Sequence, residues 1–262
     1  MAGKPLAIIT GASTGIGREM ARVAAEDGCD MVLAADEAAI ETVADDLRAT
    51  GADVVAVQAD LGTEDGVEQL WQAIGDRRIE YMIANAGRGL GHAFLEQEKA
   101  QIEEVIHLNV TGTTALLHRA ARTLRAQGSG RILVTGSIAG EMPGSYQAVY
   151  NATKAYLDIL AISIRHELKE TGVTVTCLMP GPTDTEFFDR AGMEDTRVGQ
   201  SDHKTDPARV ARKGYEAMKK GQAVMDPSFA TKVQSAFAKI LPESLLARMH
   251  RELAEPEETP NG

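Results

Sequence analysis

Short apolar runs recur along the chain, and each is closed by a glycine, an acid, an asparagine or a proline. They are Leu6–Thr10, Asp30–Ala35, Asp53–Gln58, Ile79–Ala84, Arg131–Thr135 and Val173–Met179. Continuous runs this short, bounded by turn residues, read as strands buried on both faces. Between them the apolar positions take a helical period, as in Met20, Ala21, Val23 and Ala24, then in Ile102–Arg125 and Ala148–Thr171. Strand and helix thus alternate. That order predicts an α/β fold, a doubly wound parallel sheet with helices on both faces, right-handed crossovers and ligands along the carboxyl edge. Gln222–Met225 is a candidate seventh strand, and Asp206-Pro207 opens another helix. No repeat or low-complexity linker interrupts the pattern, so residues 1–262 read as a single domain. It has a polar, glycine-containing insertion at 185–205 and a helical segment at Ser228–Leu253, two amphipathic helices broken at Pro242, before a loose tail.

Composition narrows the class. The chain has 262 residues, 44% of them hydrophobic, which is enough for a substantial core. Twenty-seven basic residues against 38 acidic ones give a formal charge of −11 without a basic cluster, which argues against nucleic acid or an anionic membrane as partner. No apolar stretch approaches a membrane span and the N-terminus lacks a signal-peptide layout, so a cytosolic protein is expected. Cys29 and Cys177 lack metal or redox spacing and read as reduced, buried residues.

The strand ends carry the chemistry. After the first comes Gly11-Ala12-Ser13-Thr14-Gly15-Ile16-Gly17 and then a helix, a loop that lets backbone amides and a helix N-terminus meet a diphosphate. This layout predicts a Rossmann-type sheet of about seven strands. Asp36 closes the second strand where a carboxylate meets the adenosine ribose; it would repel a 2′-phosphate, and Thr14 offers no basic partner, so NAD is expected rather than NADP. The competing role for Asp36 is capping the next helix. The third strand ends in Asp60-Leu61 and the fourth in Asn85-Ala86-Gly87. Ser137 follows the fifth, and Tyr150 and Lys154 stand four apart on one face of a long helix. A phenol beside an ammonium is suited to proton transfer, because a nearby cation favours the phenolate.

The order and spacing of Thr10-Gly11 with Gly15 and Gly17, Asp60, Asn85-Ala86-Gly87, Asn109, Ser137, Tyr150 with Lys154, and Pro180-Gly181 with Thr185 resemble the short-chain dehydrogenase/reductase family in its compact form. The resemblance spans roughly Pro5–Val224. It implies a catalytic tetrad of Asn109, Ser137, Tyr150 and Lys154. It also implies cofactor contacts at Gly11, Ser13, Thr14, Gly15, Ile16, Gly17, Asp36, Asp60, Leu61, Asn85, Ala86, Gly87, Tyr150, Lys154, Pro180, Gly181, Thr183 and Thr185. The activity implied is hydride transfer between a secondary alcohol or ketone and a nicotinamide cofactor, with Tyr150 as general acid/base, Ser137 holding the reacting oxygen, and Lys154 lowering the tyrosine pKa and binding the nicotinamide ribose. No metal is expected. Gly136, where many relatives have a second serine, and Ala84, where many have an additional asparagine, depart from the pattern.

The competing functions are a silent NAD(H)-binding sensor and a sugar-nucleotide epimerase or dehydratase; the intact tetrad argues against the first, glycine spacing and length against the second. Glu141, Met142, Tyr146 and Gln147 are candidate substrate walls, and Phe187, Phe188 and Met193 a candidate lid, while His92 reads as a solvated loop residue. A homodimer or homotetramer is expected through Ile102–Arg125 and Ala148–Thr171, whose Leu116, Leu117, Leu124, Leu157, Ile159, Leu160, Ile162 and Ile164 exceed one core-facing stripe.

Overall fold

The computed structural model describes residues 3–225 and 242–256. Seven parallel strands form its sheet: β1 Leu6–Thr10, β2 Asp30–Ala35, β3 Val54–Gln58, β4 Ile79–Ala84, β5 Gly130–Thr135, β6 Val173–Leu178 and β7 Val224–Met225. Their order is β3-β2-β1-β4-β5-β6-β7. The order reverses between β1 and β4, where crossovers leave opposite faces and a crevice opens outside the carboxyl ends.

Alternation along each strand sorts the side chains into two cores. On β1, Leu6 and Ile8 enter one and Ala7 and Ile9 the other. The first core is covered by α3 (Glu64–Ile74), α5 (Thr113–Gln127) and α6 (Ala148–Glu167), through Leu70, Trp71, Leu116, Leu117, Leu157 and Ala161. The second is covered by α1 (Gly15–Glu26), α2 (Ala39–Arg48) and α8 (Pro207–Lys219), through Met20, Ala24, Ile40, Val210, Tyr215 and Met218. Asp206 caps α8 by accepting from the Ala208 amide at 3.1 Å. The helices α4 (Lys99–Ile106), α7 (Phe187–Arg190) and α9 (Glu243–Ala254) lie outside these layers.

Several expectations change. The helix expected over Ile102–Arg125 is two helices, α4 and α5, joined by a π-helical segment His107–Gly112 that contains Asn109. The helix expected over Ala148–Thr171 stops at Glu167, because the Thr171 amide and hydroxyl both turn back to the Leu168 carbonyl, at 3.0 and 2.7 Å. Leu116, Leu117, Leu124 and Leu157 are not surplus apolar surface, since the core buries them to 2% exposure or less. Leu160 and Ile164 pack against that core, which leaves Ile159 and Ile162 exposed, at 67% and 48%. Both cysteines are buried and free. The first of the two helices expected over Ser228–Leu253 falls outside the described residues; the second is α9. Among the described residues no helix is long and apolar enough to cross a membrane, and no metal-binding group of acids, histidines and cysteines occurs.

Candidate active site

A cleft of about 1130 Å³ runs along the carboxyl edge of the sheet. Every residue expected to act in catalysis or to touch the cofactor lines it except Gly17 and Asn109. Gly17 is a packing position: a Cβ there would lie 2.0 Å from the Gly11 carbonyl oxygen. Gly11 itself has φ +63, a backbone conformation that glycine tolerates without strain. Thr14, at the N-cap of α1, makes no capping bond through its side chain, so the first amides of α1 keep their donors at the cleft wall. Loop, helix end and cleft therefore fit a diphosphate.

Asn85 ties three strand ends together. Its Nδ2 donates to the carbonyls of Thr10 and Gly11 at 3.1 and 3.3 Å, and its Oδ1 accepts from the Thr135 hydroxyl at 3.1 Å. Asp36 does not cap α2, whose N-cap is Ala38. It accepts from Arg88 Nη2 at 3.1 Å, and Arg88 also reaches Glu104 at 2.7 Å. Beside it, Arg190 pairs with Glu37. These arginines were invisible in the sequence because they come from the loop after β4 and from α7, brought to β2 only by the fold.

Tyr150, Lys154 and Ser137 converge from α6 and the end of β5, all nearly buried. The Ser137 side chain draws the Tyr150 phenol toward its ionised form. Ser137 Oγ accepts from the Ala139 amide at 3.1 Å and lies 3.4 Å from the Pro180 carbonyl. Lys154 Nζ donates to the Thr135 carbonyl at 2.7 Å and stands 5.9 Å from the Tyr150 ring centre. Asn109, fully buried in the π-helical segment, donates to the Arg88 carbonyl and the Thr153 hydroxyl at 2.9 and 3.0 Å and accepts from the Arg88 amide at 2.9 Å. It braces the loop after β4 against α6 from behind the cleft.

Electrostatics corrects one expectation. Burial pushes the Tyr150 phenol up to about 12 and the Lys154 ammonium down to about 8, since removal from water disfavours each charged form. The expected lowering of the tyrosine pKa by Lys154 is not met: burial raises it, Ser137 rather than Lys154 opposes that rise, and the ammonium directs its hydrogen bond to Thr135. At neutral pH the phenol keeps its proton.

The other end of the cleft is closed by α7 and α9. Phe187 and Phe188 line it, as do Met142, Gln147, Val198 and Leu253. Met193 lies behind the wall, where its sulfur accepts from Gln147 Nε2 at 2.6 Å. Tyr146 and Glu141 are not wall residues; the Tyr146 hydroxyl turns away to Glu255, at 2.5 Å. His92 stays off the cleft, as expected. His250, on α9, is a wall residue that the sequence did not flag. Its Nδ1 meets the Ser145 carbonyl at 2.9 Å and its Nε2 the Asn151 amide at 3.3 Å, the pairing of a neutral imidazole, and burial holds its pKa below the usual value.

Asp158 was also missed. It lies one turn beyond Lys154 on α6, is 6% exposed, and accepts through Oδ1 from the Ser137 amide at 3.3 Å. The available signal was an acid between Leu157 and Ile159, in an otherwise apolar stretch.

The chain is similar in sequence and fold to known proteins. The family model for short chain dehydrogenases matches residues 5–195. A 3-oxoacyl-[acyl-carrier-protein] reductase of Synechocystis is 33% identical over 193 residues, covering 72% of this chain and 78% of its own. An uncharacterized oxidoreductase of Staphylococcus epidermidis is 33% identical over 205 residues, covering 75% and 88%. Among solved structures, a short-chain dehydrogenase from Sphingobium yanoikuyae in complex with NADPH superposes with a TM-score of 0.80 at 29% identity, covering 91% and 96% of the two chains. One from Burkholderia phymatum in complex with NAD gives 0.81 at 25%, covering 89% and 92%. With the Gly11–Gly17 loop, Ser137, Tyr150 and Lys154 at one sheet edge, the chain belongs to the short-chain dehydrogenase/reductase family of oxidoreductases.

Proposed function

We propose that the chain is an NAD-dependent oxidoreductase acting on a secondary alcohol or ketone, with Tyr150 as the general acid/base. The observation that carries this reading is the convergence on one cleft of Ser137, Tyr150 and, one helical turn further along α6, Lys154, with a diphosphate-binding loop forming the cleft's other half. A binding-only sensor has no use for that convergence. Two solved relatives hold NADPH and NAD respectively, which supports a nicotinamide cofactor, and the Asp36 carboxylate at the ribose corner supports NAD.

When bound, the nicotinamide ring supplies or accepts the hydride. In reduction, Tyr150 hands its proton to the carbonyl oxygen as negative charge develops there, while the Ser137 hydroxyl donates to the same oxygen and orients it. In oxidation, the phenolate takes the hydroxyl proton back. Lys154 binds the ribose hydroxyls and attracts the phenolate as it forms. Met142, Phe187, Val198 and Leu253 offer an apolar wall, so a substrate with an apolar arm beside its carbonyl fits.

The test is a panel of ketones and secondary alcohols offered with NADH, NADPH and their oxidised forms, with Tyr150→Phe as control. Turnover of an apolar ketone that is lost in Tyr150→Phe supports the reading; cofactor binding without turnover of any panel member refutes it.

A further inference from the structure

We propose that Asp158 is a positioning residue of this active site: its carboxylate fixes the backbone of Ser137 and serves as the counter-charge of Lys154. The inference rests on the reading of Ser137, Tyr150 and Lys154 as the working groups. It extends the Tyr150–Lys154 pair by one more turn of α6, giving phenol, ammonium and carboxylate at successive four-residue steps down one face.

The steric argument is the firmest. A Cβ on Gly136 would lie 1.7 Å from Asp158 Oδ1, and one on Gly140 would lie 2.4 Å from Oδ2. The turn that carries Ser137 is thus free of side chains on both sides so that a carboxylate can fit beneath it. Asp158 reaches from the helix into the space that a side chain at 136 would take. Oδ1 accepts from the Ser137 amide at 3.3 Å and from the Cys177 thiol at 3.4 Å, which tethers α6, the end of β5 and β6 at one point. Oδ2 is buried without a hydrogen-bond partner. So costly an arrangement calls for a compensating charge.

The groups acting on Asp158 are Lys154 from its own helix, Cys177 from β6, and Glu141 from the turn after Ser137; Tyr150, in turn, feels its charge. Lys154 is the cation among them. Burial drives the Lys154 pKa down to about 8 and that of Asp158 up to about 6, and each group's charge draws the other back toward its ionised form. The Thr135 carbonyl gives Lys154 a hydrogen bond but no charge. Asp158 therefore opposes the loss of the lysine's charge in a desolvated site.

Two experiments that need no turnover test this. The first is NADH affinity against pH, read from cofactor fluorescence. Wild type should lose affinity as Lys154 deprotonates on the alkaline side. Asp158→Asn, which keeps the shape and an acceptor for the Ser137 amide, should move that loss about one pH unit lower. Lys154→Met should abolish it. The second is thermal unfolding. Gly136→Ser should lower the melting temperature by several degrees, and adding Asp158→Ala should recover most of that. An alkaline limb that is missing from wild type, unmoved in Asp158→Asn or retained in Lys154→Met overturns the proposal. So does an equal cost of Gly136→Ser with and without Asp158. Should Asp158→Ala fail to fold, the Asp158→Asn limb decides. A chain that binds NADH but reduces no ketone would refute the proposed function while leaving both readouts intact.

Discussion

The ring of Phe187 lies 5.1 Å from that of Tyr150, centre to centre, with the planes tilted by 53°. The first residue of α7 thus rests on the proposed acid/base itself. The Gly91 amide anchors this segment by donating to the Ala191 carbonyl at 2.8 Å. Gly89 makes room for it, since a Cβ there would lie 2.4 Å from the Phe187 ring. Phe187 excludes water from the phenol and offers an apolar surface to substrate. Phe187→Ala should keep NADH affinity while lowering kcat/KM for an apolar ketone by about tenfold, the scale set by losing part of one apolar contact. Unchanged kcat/KM would show that α7 is no lid.

Removing the proton carrier tests the chemistry. Tyr150→Phe keeps the ring against Phe187 and should cut turnover by at least ~10²-fold with cofactor affinity preserved. Lys154→Ala should impair both, because the same side chain is assigned to phenolate and ribose. Steady-state kinetics beside fluorescence titration separates the two outcomes.

At the ribose corner, Asp36 is shared between the expected cofactor contact and Arg88. An exposed pair of this kind is worth about 0–1 kcal/mol, so it exchanges readily for a ligand. Asp36→Ala should weaken NAD and reduce discrimination against NADP. Arg88→Ala should strengthen the preference for NAD, since it frees the carboxylate and removes a cation that could meet a 2′-phosphate. Catalytic efficiencies with both cofactors check this, and a wild-type preference for NADP would refute it.

Asp158 also makes a prediction about stability. Its pKa rises from 3.8 to about 6 on folding, chiefly through burial, so the folded chain holds this proton more tightly than the unfolded one. The stabilisation is therefore full below about 4 and is lost as pH rises through 6. Asp158→Asn does not titrate there. Calorimetry from pH 4 to 7 should find wild type losing stability relative to the variant as pH increases, whereas a constant difference would argue against the raised pKa.

Assembly as a homodimer or homotetramer is proposed through the outer face of α6, where Tyr156, Ile159 and Ile162 are exposed at 39%, 67% and 48%. Ile159→Asp should dissociate the oligomer in light scattering without altering the melting profile of the subunit. A wild-type monomer would remove the proposal.

What could be read from the chain was local. Six strand positions were visible because parallel strands buried on both faces are continuous apolar runs, and the glycine loop and the Tyr150–Lys154 pair each lie within a few residues of one another. What could not be read depends on distant segments meeting. The Asn109 region has helical periodicity from end to end, and only its packing against Arg88 and Thr153 marks the π-helical segment there. Leu116 and Leu157 looked surplus because a helix packed on both the sheet and a neighbouring helix buries more than one stripe. Asp158 could be paired with Gly136 and Gly140 only once α6 was laid beneath the end of β5. The pKa of Tyr150 depends on how deeply it is buried, which spacing does not record.

The wall formed by α9 sets the two ends of the cleft apart. The Ser145 hydroxyl donates to the Ala247 carbonyl at 3.0 Å, the Val198 amide to that of Leu253 at 3.2 Å, and Thr196 bridges to Pro256. The glycine loop follows β1, whereas this end of the cleft is closed by a helix that comes after β7 in the chain. Changes confined to α9 would therefore reshape the proposed substrate end of the cleft while leaving the Gly11–Gly17 loop as it is.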